Sequence, residues 1–464
     1  MSAAGLDWIS VAEAGRLIRE RDLSPVDLAQ ACVERIHERE DRLNAFITVA
    51  GDEAVRGAKA AADEIAGGKN RGPLHGIPVA LKDIFAVAGV GLTAGSKILA
   101  ENVASEDAES TTRLRSAGAI IPGKLNLHEF AFGATGVNPH FGPARNPWDT
   151  ERITGGSSSG SAAAVAGGEC PAALGTDTGG SIRIPASLCG IVGLKPTYGR
   201  VSKRGVLPLS WSLDHVGPMT RSVEDAAIVL QVVAGFDPQD GSSVDEPVPD
   251  YVRSLEDGVR GLRIGLPKLF FFENVDPEVE AAVRSAVALL EEMGAEVRDV
   301  DAPFISDIPG AVTAIMLPEA LAYHQKWMAE RPDDYGDDVR YRLELGSAYL
   351  AVHYVQAQRL RQLSIESWRK EVFSKVDLIA TPTTPITAPH IEGGDLQTTF
   401  SLIRFTNPLN FLGVPAISVP CGFTEEGLPV GLQLAGQWWA EETLLRAAHA
   451  YEQATEWHTR RPVV

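Results

Sequence analysis

The sequence predicts an α/β fold, a β-sheet with α-helices packed on its faces. From about residue 74, short apolar runs alternate with helix-like segments, the texture of strands and their covering helices. The 464 residues are 44% hydrophobic and 22% charged, enough to bury a large core without disulfide staples. No Pro/Gly/Ser linker or charge run cuts the chain. It therefore reads as one body over 1–464, although length alone would suggest about three domains.

Ser10-Val11-Ala12-Glu13 fits a capping box, and Ser24-Pro25 sets proline at the first helical position behind a serine cap. Ala29, Cys32, Val33 and Ile36 then mark one apolar helical stripe. A third helix covers 52–66 and stops at Gly67-Gly68. These N-terminal helices, about residues 7–66, read as packing elements or a subunit contact. Strand-like runs follow at 77–81, 119–121 and 172–174, and helical texture returns at 222–235, 277–293, 311–330 and 347–373. Residues 415–419 and 429–434 read as two strands joined by a glycine-containing turn, and the Pro/Thr-rich stretch 381–389 as a loop. There is no internal repeat.

The formal charge of −19 argues against binding a nucleic-acid backbone or an anionic membrane. Cys32, Cys170, Cys189 and Cys421 have neither a disulfide pattern nor zinc spacing, and Cys189 reads as a small buried hydrophobe rather than a nucleophile. No basic-then-apolar leader is visible, and no apolar run approaches the roughly 18 residues of a membrane span. A cytoplasmic location is the expectation.

Two motifs are decoys. Gly118 to Lys124 matches a phosphate loop until Leu125 replaces the magnesium-binding hydroxyl, and Pro122 removes an N–H donor. Gly156-Ser157-Ser158-Ser159-Gly160 matches a nucleophile elbow, but a turn-rich approach, Asn146 to Thr150, stands where that elbow needs a strand. Two other features carry more. Lys82 ends the apolar run 77–81. It is either a strand-end lysine reaching solvent or a base, and a base needs its pKa brought well below about 10.4 by desolvation. Ser181 follows Thr178-Gly179-Gly180. This is either a tight turn with a serine cap or a set of bared N–H groups of the kind an oxyanion hole needs.

Taken together these segments resemble the amidase signature family. The carrying motifs are Gly76-Ile77-Pro78-Val79-Ala80-Leu81-Lys82-Asp83, Gly123-Lys124-Leu125-Asn126-Leu127-His128-Glu129-Phe130, and Gly155-Gly156-Ser157-Ser158-Ser159-Gly160-Ser161-Ala162. Gly175-Thr176-Asp177-Thr178-Gly179-Gly180-Ser181-Ile182-Arg183 and Gly190-Ile191-Val192-Gly193-Leu194-Lys195-Pro196-Thr197-Tyr198-Gly199 complete the set. The match is densest over about 72–225 and extends loosely over nearly the whole chain.

The resemblance implies a mixed central β-sheet sandwiched between layers of α-helices, and a Ser-cisSer-Lys triad. Ser181 would be the acylated nucleophile, Ser157 the proton relay on a cis peptide after Gly156, and Lys82 the base. The backbone N–H groups of Thr178, Gly179, Gly180 and Ser181 would hold the oxyanion. It implies no metal and no cofactor, and none of the ten histidines need be catalytic; His75, His128 and His215 read as structural. The variable region, about 300–410, would shape the substrate pocket, with Met316, Tyr323 and Phe405 as its apolar liners alongside Leu317 and Trp327.

The activity expected is hydrolysis of a linear amide, small and neutral or aryl, with esters and carbamates open to the same chemistry. The expected partners are a small-molecule substrate only, with no nucleic acid and no membrane, in a monomer or homodimer. The alternative is the glutaminase (A) subunit of a tRNA-dependent amidotransferase, which the segments 195–202 and 242–251 resemble. Two departures count against it. Arg404 stands where an acid for the glutamine ammonium is expected before Thr406-Asn407-Pro408-Leu409-Asn410, and His215 stands where that subfamily usually has Gln. A catalytically dead scaffold is a third reading, opposed by the intact triad positions.

Overall fold

The computed structural model describes residues 6–393 and 396–464; Gly394 and Asp395, inside the variable region, lie outside them. In chain order the strands are β1 (Phe46–Val49), β2 (Val79–Lys82), β3 (Gly123–Leu125), β4 (Arg145–Asn146), β5 (Asp149–Ile153), β6 (Ala172–Asp177) and β7 (Val192–Lys195). They continue with β8 (His215–Thr220), β9 (Arg263–Pro267), β10 (Glu296–Val300), β11 (Leu378–Pro382), β12 (Ala416–Phe423) and β13 (Pro429–Gly436). Eleven of them form one sheet in the order β1-β3-β2-β6-β8-β7-β12-β13-β11-β9-β10, while β4 and β5 pair separately.

The sheet is mixed. Pairs β3–β2, β2–β6, β11–β9 and β9–β10 run parallel, and the rest antiparallel. Its central strands β2, β6 and β8 are buried at every position, so the runs 77–81 and 172–174 are apolar without alternation. Helices layer the sheet, and one continuous apolar core joins residues from Leu6 to Tyr451.

The serine caps hold at the N-terminus, although the reciprocal Glu13 half of the capping box is not formed. The Ser10 hydroxyl accepts from Glu13 N, the Ser24 hydroxyl accepts from Val26 N, and the helices run Val11–Glu20, Pro25–Leu43 and Gly51–Ala66. Differences appear where pairing, not propensity, decides. The run 119–121 contributes only a bridge at Ile120, and the strand forms beyond Pro122, at β3, where Gly123 lies against Phe46 and Thr48 of β1. Thr381 and Pro382, expected in a loop, close β11 against β13. The expected 347–373 helix is Ala351–Glu371, preceded by a separate helix Asp337–Gly346. The turn-rich approach to the glycine-serine segment is the hairpin β4–β5.

Candidate active site

Because β2 and β6 are parallel, with Leu81 opposite Leu174, their carboxyl ends deliver Lys82 and the 176–181 segment to the same edge of the sheet. That edge is where α/β sheets place their chemistry. The glycine-serine turn enters from the side. The Gly156–Ser157 peptide is cis, and the helix Ser159–Ala166 follows it. Gly160 is required there, since a Cβ would sit 2.2 Å from Ala45 O and 2.5 Å from Asn126 N. Ser158 N donates to Ser181 O at 3.2 Å, joining the two serine segments.

Lys82 is fully buried. Its Nζ contacts Ser157 Oγ at 2.8 Å, Thr176 Oγ1 at 2.9 Å and Ser158 Oγ at 3.1 Å. Ser158 spends its own proton on Thr176 O, so it accepts from the amine. A neutral amine has two donors and one lone pair, so with Ser158 accepting, the lone pair is open to the hydroxyl proton of Thr176 or of Ser157, the nearer of the two. Burial is the dominant influence on this amine and holds it at about 7, against an ordinary value of 10.5, with Asp214 and Asp177 pulling weakly the other way. The solvent-reaching alternative for Lys82 does not hold.

Ser181 lines a cavity of about 430 Å³ with Met316, Leu317, Val312, Leu345 and Arg342. The 178–181 loop before it is held by Asp177, whose Oδ1 accepts from Gly180 N at 2.8 Å and whose Oδ2 accepts from Ile182 N at 3.1 Å. Arg183 clamps the same carboxylate through Nε and Nη2, and Asn410 Nδ2 donates to its Oδ1 at 2.8 Å. Against the upward push of burial, Arg183 holds Asp177 well below the usual carboxylate range. Gly180, at φ +132°, tucks under Thr406, where a Cβ would meet Oγ1 at 2.1 Å.

Gly180 N–H is thus committed to Asp177 rather than turned to an oxyanion. The N–H groups of Thr178, Gly179 and Ser181 have no partner among the described residues. Of the expected pocket liners, Met316 is in place. Tyr323 is not, because it packs against Trp211, His324 and Trp327 beyond the cavity. Phe405 is wholly buried between Phe270 and Phe271. Trp327 likewise packs on Phe130.

Several site residues had no sequence signal beyond their motifs: Thr176 and Ser158 around the amine, Asn410 behind the loop, and Arg342. The Arg342 guanidinium is buried in the cavity wall, held by Phe132 O and by Asp338 at 3.1 Å, with Nε unpartnered. The two departures counted against the amidotransferase do not lie at this cavity. Arg404 turns away and donates to Glu273 O and Phe270 O. His215 is buried, its Nδ1 on Leu213 O at 2.6 Å, and burial keeps it neutral. The four thiols are buried, and burial pushes Cys32 up to about 12 and Cys189 upward as well.

Comparison with known proteins places this geometry. The Amidase family model matches residues 27–445. The glutamyl-tRNA(Gln) amidotransferase (A) subunit of Trichlorobacter lovleyi is 45% identical over 471 residues, covering 96% of each chain. An amidase of Pseudomonas putida is 45% identical over 469 residues, covering 99% of this chain and 98% of its own. A solved, inhibitor-bound structure from a vestigial protein complex linked to the origins of an s-triazine catabolic enzyme superposes with TM-score 0.91. It is 36% identical, covering 96% of this chain and 98% of that one. These relatives correct one expectation. A chain with no nucleic-acid or protein partner does not fit relatives named as subunits of a tRNA-dependent enzyme. Net charge failed as a guide because it averages over the whole surface, whereas a partner reads one face. No helix among the described residues is long and apolar enough to cross a membrane.

Proposed function

The chain belongs to the amidase signature family, and from that premise we propose that it cleaves amide C–N bonds through an acyl-enzyme on Ser181. The observation that carries this is the buried Lys82 amine, close to neutral pH in its titration and 2.8 Å from the Ser157 hydroxyl. As Ser181 Oγ attacks the carbonyl carbon, its proton passes to Ser157 and that of Ser157 to Lys82. The N–H groups of Thr178, Gly179 and Ser181 hold the oxyanion, a contribution of roughly 3–4 kcal/mol for each donor. Collapse breaks the C–N bond while Lys82 returns a proton through Ser157 to the leaving nitrogen. Water then repeats the sequence to release the acid.

Two substrate readings follow. The relatives favour glutamine, with the chain acting as the ammonia-releasing subunit of a tRNA-dependent amidotransferase. The unpartnered Nε of Arg342 supports it, since a buried guanidinium in a cavity wall suits a substrate carboxylate. The outward turn of Arg404 takes its positive charge off the cavity but supplies no acid in its place. The second reading is hydrolysis of a neutral or aryl amide, or of an ester or carbamate. It is favoured by the apolar wall of Val312, Met316, Leu317 and Leu345 and by the absence of any carboxylate among the described lining residues.

The test is a hydrolysis panel of glutamine, an aliphatic amide, an anilide, an ester and an aryl carbamate, run beside Ser181→Ala. The glutamine arm is repeated with the partner subunits of a related amidotransferase. Turnover abolished by Ser181→Ala with the fold intact is the expected result. A variant keeping near-native turnover defeats the acyl-enzyme reading. Glutamine turnover appearing only with partners selects the first substrate reading, and anilide turnover without them the second.

A further inference from the structure

Thr178 opens the loop that carries Ser181, and its side chain is tied sideways. Its hydroxyl donates to Asp214 Oδ1 at 2.6 Å. Asp214 Oδ2 accepts from Leu209 N at 3.0 Å and from Ser210 N at 3.1 Å, so the carboxylate joins the loop to the 209–214 turn. That turn is itself braced from the helix Ile308–Glu330. Glu319 accepts from Ser210 Oγ at 2.5 Å, Ser212 Oγ at 2.7 Å and Tyr354 OH at 2.8 Å. Asp214 also lines a second cavity, of about 670 Å³, which reaches Thr176, a hydrogen-bond partner of Lys82. Ala131, Thr178 and Leu209 wall this cavity and the Ser181 cavity alike.

Charge adds to the geometry. Lys82 is bonded to the hydroxyls of Ser157, Ser158 and Thr176, and against the downward push of burial the charges of Asp214 and Asp177 favour its ammonium. Asp177 is neutralised by its contacts with Arg183. Asp214 has no ion-pair partner among the described residues; the cation facing it is Lys203, whose Nζ is bound to Tyr198 OH and Trp211 O.

We propose that Asp214 is a positioning residue for the reaction at Ser181, anchoring the Thr178 edge of the oxyanion loop and turning an unpaired negative charge toward Lys82. It is not among the residues lining the Ser181 cavity. It acts through Thr178 by geometry and through Lys82 by charge. The proposal rests on the triad reading above, which Ser181→Ala tests separately.

The two roles separate in a pH profile. Asp214→Asn removes the charge, destabilises the Lys82 ammonium and moves the acid limb of kcat/KM to lower pH by roughly half a unit or more. It also lowers the plateau kcat by about 10- to 100-fold, with KM changed less, because one oxyanion donor is misplaced. Thr178→Val cuts the anchor and keeps the charge, so its kcat falls while the limb stays. Asp214→Glu keeps the charge and shifts the anchor, so it also lowers kcat with the limb in place. The limb position is independent of the active fraction, so partial misfolding leaves it readable. If Asp214→Asn does not fold, the other two variants decide. An Asp214→Asn limb that does not move, a Thr178→Val enzyme with native kcat, or an Asp214→Glu limb displaced to lower pH overturns the proposal.

Discussion

Acidification is the perturbation that interrogates the site most directly, because the proposed base is a lysine working as a neutral amine. Lys82 has no solvent contact, and burial lowers its amine to about 7 from 10.5. The sign follows from the role: the amine accepts a proton above that value and cannot below it. The unprotonated fraction is about one half at pH 7, about a tenth at pH 6 and about a hundredth at pH 5. The predicted kcat/KM therefore falls about tenfold per unit below 7, equivalent to about 1.4 kcal/mol of barrier per unit. The assay is initial rate on a neutral amide between pH 5 and 9 at constant ionic strength, with circular dichroism showing that the fold persists. An ordinary lysine would instead place the limb near 10. A limb there, or a level rate down to pH 5 in folded protein, refutes the neutral-amine base.

Three further outcomes follow from the same geometry. Arg342→Met raises KM for amides carrying a carboxylate by about 10- to 100-fold, the loss of a charge-assisted contact, and leaves neutral amides within about threefold; equal effects on both would remove the carboxylate assignment. Asp177→Asn strips the buried partner of Arg183 and loosens the Gly180 contact, so urea titration is expected to show a loss of roughly 3–5 kcal/mol. A midpoint and slope equal to wild type would mean the pair is replaceable. Gly180→Ala forces a Cβ against Thr406 Oγ1 at positive φ, and acyl-enzyme formation, followed by mass, is expected to slow at least about 100-fold. A native rate would show that the loop tolerates rearrangement.

Much of the site is legible in sequence because its chemistry lies in short local motifs. Lys82 is marked by the apolar run it ends, and Ser157 and Ser181 by glycines that a close-packed turn requires. The pocket is not legible in the same way. Met316 and Tyr323 share a face of the helix Ile308–Glu330. Yet seven residues at 1.5 Å rise put Tyr323 about 10 Å farther along, past the cavity and against Trp211. Phe405 is apolar and adjacent to the Thr406 turn, but Phe270 and Phe271 close over it. Arg404 next to it turns to Glu273, so its charge bears on a surface loop and not on substrate.

The sequence by itself determined the family and the mixed α/β class, and it marked the three residues proposed for the reaction and the glycines that bring their backbones together. All of these depend on neighbours a few residues away or on motif order. Tertiary structure alone decided that the Lys82 amine is lowered to about 7, since desolvation comes from elements far apart in the chain. It also decided that Gly180 N–H serves Asp177, leaving the N–H groups of Thr178, Gly179 and Ser181 without a partner among the described residues, and that Arg342 reaches the cavity from the helix Asp337–Gly346. The physical reason is common to these cases. Residue type sets what a group is able to do, whereas burial and the partners that reach it set which of those states it occupies.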